Sequence, residues 1–287
     1  MRVFSNPVGA GSLWFDNLTT ADGTPVAYDP QARAFLPTPP FCANREKIGC
    51  NWIAPKAGAF CRSCAMTALA PDPSIANAIP NWAQTEAAKR WALDNLGRWH
   101  WFRPEDPGAP PVFHLLAEGP TPVPMGHAEG VVTISVAEVD PILVTSRREA
   151  LQEPYRTMIG HMRHEIAHML WWRLSLREDF LDAFRSMFGD ERVDYPAALQ
   201  YHYENGPPPA WRQHYLTSYA SAHPHSLCGH PPQRTIIRVS VDNRVGVDPV
   251  FFAKKSIQAC PETRTGLFTE MGVQAVRQCC TEQFPDA

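Results

Sequence analysis

The sequence predicts an α+β chain in which a small cysteine-rich N-terminal module precedes a mainly helical domain carrying a small sheet. Three observations carry that prediction. Cys42, Cys50, Cys61 and Cys64 fall within 23 residues. The stretch Pro154 to Arg173, PYRTMIGHMRHEIAHMLWWR, has the period of an amphipathic helix. Between them, VVTISV at 131–136 reads as a strand among helical segments. The expected divisions are 1–75, 76–224 and a tail, 225–287, to which the pattern assigns no structure.

With 287 residues and 44% hydrophobic content, the chain is long enough to bury a sizeable core. A formal charge of -3 and a pI near 6.4 give no electrostatic reason to expect a nucleic acid or an anionic membrane as partner. No apolar run approaches the roughly 20 residues of a membrane span. The opening MRVFSNPVGAGSLWF lacks the continuous apolar stretch of a secretory signal, so a cytoplasmic address with reduced thiols is expected. Twenty-nine prolines, about twice the usual share, point to long irregular connections.

Taken in order, residues 1–40 alternate apolar and turn-forming residues (LWFDN, ADGTP, VAYDP), which predicts short hairpins. In the cysteine segment that follows, CRSC at 61–64 is a knuckle whose turn can aim two sulfurs at one tetrahedral centre. Cys42 and Cys50 are spaced more loosely, so a disulfide pair or plain thiols compete with a structural zinc site. Trp52 is expected to lean on the knuckle. The remaining Cys228, Cys260, Cys279 and Cys280 lack ligand spacing and are expected to be free thiols.

From Asn81 to Trp101 the pattern is helical, with Gly97 as its stop. A proline-rich connector at 103–113 leads to the 131–136 strand, which by analogy with zinc peptidases is an edge strand able to hold an extended peptide. A charged helix at 145–152 follows, and Pro154 suits the first turn of the next helix.

In that helix His161, His164, Glu165 and His168 share one narrow polar stripe, while Tyr155, Ile159, Met162, Ile166, Met169 and Leu170 lie roughly opposite. His164, Glu165 and His168 make an HExxH pattern. Two imidazoles one turn apart can reach a single zinc ion, and the adjacent carboxylate can take a proton from a metal-bound water. The competing reading is a chance polar face. A third ligand from Asp190, Glu191 or Asp194 is possible by position, although caps and ion pairs explain such acidic turns more often. Helices are also expected after Arg173, up to Asn205 and Gly206, and at 211–224.

The segments FCANREKIGCNW with CRSC, EAAKRW, MGHAEGVVTISVAEVD, EPYRTMIGHMRHEIAHMLWW, FRSMFGDERVDY, HYENGPP and SYASAHP occur in order over about residues 4–224. Together they resemble a family of predicted zinc-dependent metallopeptidases that join an N-terminal zinc ribbon to a zincin-like, gluzincin-type domain. The resemblance implies a zinc-ribbon-like module at 1–75 and a zincin-like metallopeptidase domain at 76–224. It further implies His164 and His168 as zinc ligands, Glu165 as catalytic base and a peptide or protein as substrate. Two zinc ions are expected, one structural at the four cysteines and one catalytic at a completed HExxH site.

The chain departs from the family pattern twice. The extra N-terminal cysteine knuckles are missing around LWFDN, which predicts a zinc-free hairpin. After Pro224 the family's acidic helix, the source of a glutamate ligand, is replaced by HSLCGHPPQRTIIRVSVDNRVGVDP. His225, Cys228 and His230 are the nearest substitutes, and the expectation is that none of 225–287 completes the site. TIIRVSVDNRVGV resembles a hairpin. An inactive zincin-like remnant with a zinc-ribbon interaction module is therefore the alternative to an impaired or intact peptidase.

Overall fold

The hairpins come first, and their turns explain them. In a computed structural model, which describes residues 3–120, 122–151, 157–214, 218–224 and 226, β1 (Val3–Ser5) pairs antiparallel with β2 (Ser12–Trp14). The Asn6 side chain braces the turn, accepting from Val8 N at 3.1 Å and donating to Ala10 O at 3.1 Å. β3 (Val26–Asp29) pairs antiparallel with β4 (Ala34–Pro37), and Asp29 Oδ1 accepts from Gln31 N at 2.8 Å to start that turn. Phe4, Phe15, Tyr28 and Phe35 then close edge to face, with centroids 5.1 to 5.5 Å apart, a geometry that favours aromatic quadrupoles.

Two single-turn helices carry the cysteine segment, α1 (Arg45–Ile48) and α2 (Arg62–Ala65). Gly49 ends α1 at φ 63°, a left-handed cap that a β-carbon would strain. Bridges Tyr28↔Trp52 and Phe41↔Ile53 tie the segment back to the hairpin and to itself. Trp52 is buried in the same core as the four cysteines.

The main sheet has the order β5–β6–β8–β7, from β5 (Thr67–Leu69), β6 (Val112–Leu116), β7 (Gly126–Ala128) and β8 (Val131–Ser135). β5, β6 and β8 run parallel, and β7 is antiparallel to β8. Two expectations are corrected here. VVTISV is an inner strand, because β7 adds outside it and forms the edge. The proline-rich connector gives way to β6 already at Val112, an element the sequence reading missed; its VFHLL alternates inward Phe113 and Leu115 with less buried neighbours.

α3 (Ala78–Gly97) stops at Gly97 as expected but starts three residues before Asn81. A 3-10 turn (Val136–Val139) follows β8 and leads to α4 (Pro141–Leu151), which begins earlier than 145 because Asp140 Oδ1 caps it, accepting from Ile142 N at 2.8 Å. α5 (Met158–Ser175) carries the HExxH stretch. It begins at Met158 rather than at Pro154, because Thr157 is its cap: Thr157 Oγ1 accepts from Gly160 N at 3.1 Å. α6 (Glu178–Phe188), α7 (Tyr195–Asn205) and α8 (Trp211–His214) complete the described helices.

α5 lies on β8 and β7, and α3 packs against both α5 and α1. Phe113, Leu115, Val132 and Ile134 from the sheet meet Met162, Ile166, Met169 and Leu170 from α5, with Phe180 and Phe184 of α6 beyond, in a core continuous with Leu13, Trp52 and the four cysteines. The described residues belong to one compact unit. The arrangement is mixed helix and sheet, compatible with α+β. Pro154, Tyr155 and the hairpin expected within 235–247 lie outside the described residues.

Candidate metal centres

The four cysteines converge because a one-turn helix and two loops fold onto one point. Cys61 caps α2, its sulfur accepting from Cys64 N at 3.4 Å, and Cys61 N donates to Cys42 Sγ at 3.2 Å. All four side chains are buried, and none forms a disulfide. Cys50 Sγ lies 3.6 Å from both Cys61 Sγ and Cys64 Sγ, and the four sulfurs all lie within 4.8 Å of one another. Tetrahedral vertices about 2.3 Å from a zinc ion stand roughly 3.8 Å apart, so the spacing suits that ion. Four thiols in one pocket cannot ionise independently. Bonds from Cys50, Cys61 and Cys64 pull the Cys42 thiol down, and Cys42 in turn pushes Cys61 and Cys64 up. Softness, burial and donated N–H···S bonds together fit a thiophilic cation.

The second group sits on α5. His164 Nε2 and His168 Nε2 are 3.1 Å apart, with ring centroids 4.7 Å apart. Two tetrahedral ligands at about 2.0 to 2.1 Å would stand roughly 3.3 Å from each other, so both imidazoles can serve one ion. Glu165 Oε1 lies 3.9 Å from His164 Nε2. Its residue is only 8% exposed, and burial pushes the carboxyl up to about 7. The packing of α5 onto the sheet closes over it.

His161, the remaining member of the stripe, points elsewhere. Its Nε2 lies 3.3 Å from Glu138 Oε2, and Glu138 also pairs with Arg147 of α4. Arg147 Nη2 reaches Glu118 at 3.1 Å, and Ser135 Oγ donates to Glu118 at 2.8 Å. This chain of charges anchors the start of α5 to the strand end and to α4. Sequence reasoning missed Glu138, Arg147 and Glu118, since no local spacing joins residues 9 to 29 positions apart.

The acidic turn is occupied. Asp190 pairs with Arg192 at 2.8 Å, Glu191 with Arg185 at 2.5 Å, and Asp194 caps α7 by accepting from Ala197 N at 2.7 Å. His223 is buried against the same turn, its Nε2 2.8 Å from Val193 O. Among the described residues, the group on α5 that could hold a metal ion is His164, Glu165 and His168. His225, Cys228 and His230 lie outside them, as do Cys260, Cys279 and Cys280.

Residues 78–226 match the model of a family described as "Putative zinc-binding metallo-peptidase". The uncharacterized proteins Rv2568c of Mycobacterium tuberculosis and Mb2598c of Mycobacterium bovis are each 37% identical over 188 residues, covering 63% of this chain and 55% of theirs. The chain thus spans about half the length of the curated relatives it matches. No solved structure matches it.

Proposed function

The chain belongs to the zinc-binding metallo-peptidase family whose model covers residues 78–226, and from that premise we propose that it is a zinc-dependent peptidase acting on peptide or protein substrates at His164, Glu165 and His168. One observation carries the reading: two imidazoles with Nε2 atoms 3.1 Å apart stand beside a buried carboxylate on a single helix. Zinc held there supplies Lewis acidity and a water acidic enough to ionise near neutral pH. His164 and His168 are the ligands. Glu165 is the general base, a buried carboxylate beside the His164 imidazole.

The finer architecture belongs to the same proposal. Residues 1–75 act as a zinc-ribbon-like module with one structural ion at Cys42, Cys50, Cys61 and Cys64. Residues 76–224 act as a zincin-like domain of gluzincin type, and 225–287 as a divergent tail. A cytoplasmic location rests on the reduced thiols. No helix among the described residues is long and apolar enough to cross a membrane.

The test is zinc content combined with turnover. Full-length protein, dialysed against metal-free buffer, is analysed for bound zinc and assayed on a quenched peptide library beside the Glu165→Gln variant. Two ions and peptide cleavage that the variant loses are expected. A single ion and no cleavage would instead support an inactive remnant with a zinc-binding module.

A further inference from the structure

The cysteine module rests on an unusual helix face. Glu86, Lys89, Arg90 and Asp94 recur at helical spacing on α3, and all four are at most 2% exposed. Burying ions is costly unless each finds a partner. Three do. Lys89 Nζ pairs with Glu86 Oε1 at 2.9 Å and also donates to Thr67, while Asp94 Oδ1 accepts from Tyr28 Oη at 2.7 Å. Arg90 differs. Its Nη2 makes a single long bond, 3.5 Å, to the carbonyl of Gly49, the residue before Cys50. Among the described residues its Nε and Nη1 have no acceptor. Asp16 feels the Arg90 charge but forms no ion pair with it.

A guanidinium in that state needs a nearby negative charge. Four thiolates around one divalent cation carry a net charge of minus two, and the Gly49 carbonyl that Arg90 reaches is the one joined to Cys50. Arg45, the other cation near Cys50, already donates to Val26 O at 3.0 Å and Leu18 O at 2.6 Å. Arg90 is therefore the charge left over.

We propose that Arg90 is the buried counter-charge of the metal-loaded four-cysteine site, and that metal bound at the cysteines thereby holds α3 in place beneath the HExxH helix. The cysteine module is then a clamp on the peptidase-family segment, with its grip set by metal loading. The proposal rests on the zinc reading of the cysteines and goes beyond it, since it assigns a residue outside the cysteine segment to that site.

Cobalt(II) provides the probe, because its thiolate charge-transfer absorption reports cysteine ligation and is silent toward the histidine pair. Full-length wild type, Arg90→Gln, Arg90→Lys and Lys89→Met are titrated with cobalt and then competed with zinc. Arg90→Gln should weaken the cysteine site by ~10-fold or more, the scale on which outer partners of metal ligands act. Arg90→Lys should recover most of the affinity, and Lys89→Met, which removes a buried charge facing Glu86, should leave it within about threefold. Equal losses in Arg90→Gln and Lys89→Met, or none in Arg90→Gln, would overturn the proposal. Absence of a thiolate band in wild type would instead sink the zinc reading on which it rests. If Arg90→Gln does not fold, hydrogen exchange on wild type decides: chelation should deprotect amides of 78–97, and unchanged protection there refutes the clamp.

Discussion

At the residue scale Glu165 concentrates the chemistry, and its burial sets two expectations. Glu165→Gln keeps shape and retains both imidazoles, but cannot accept a proton. Turnover should fall by roughly 10²- to 10⁴-fold with zinc content unchanged, measured by peptide cleavage and metal analysis. The second expectation concerns pH in metal-free protein. The folded carboxyl titrates near 7 against an ordinary 4.5, so the neutral acid is the form the fold favours. Its contribution is fully present below 4.5 and is lost as pH rises through 7. Urea unfolding should therefore show wild type losing on the order of 3 kcal/mol across that window relative to Glu165→Gln, as an upper limit. A flat difference between the two proteins would show that the site is wetter than its packing implies.

At the element scale, α5 and the cysteine loops depend on different things. Thr157 supplies a side-chain cap at the start of α5. Thr157→Ala should cost about 1 kcal/mol in chemical denaturation while sparing the imidazole geometry. The cysteine loops have little beyond two one-turn helices of regular structure, and their sulfurs face one another. Cys61→Ser removes one of the four sulfurs but leaves a hydroxyl that can still cap α2. It should abolish metal binding at that site and lower the melting temperature sharply, read by calorimetry with metal analysis. Much of this was legible in the sequence because it is local: CRSC forces a turn, and HExxH on an amphipathic period forces two histidines to one side. The start of α5 was misjudged for an equally local reason. Proline suits a first turn, but a threonine hydroxyl in reach of Gly160 N stabilises the later start.

At the scale of the whole molecule, the continuous core makes metal state and fold one question. Removal of both ions by a strong chelator should lower thermal stability and broaden the unfolding transition, and one equivalent of returned zinc should restore most of it by filling the cysteine site first. Retained stability after chelation, measured by calorimetry, would mean that hydrophobic packing alone carries the module. By itself the sequence determined the mixed α+β class, the paired hairpins, the two clusters of candidate metal-binding side chains and the near-neutral net charge, all of which depend on composition or on spacing within a few turns. Only the tertiary structure decided which strand lies at the edge, since that is set by the pairing of β7 outside β8. It also decided that His161 turns to Glu138 and that the acidic turn spends its charges on Arg185 and Arg192. The charged face of α3 is the clearest case. Nothing in the sequence marks Glu86, Lys89, Arg90 and Asp94 as buried, because polarity marks exposure unless distant groups arrive to meet it, and the groups that meet them here are Thr67, Tyr28 and Gly49, 19 to 66 residues away.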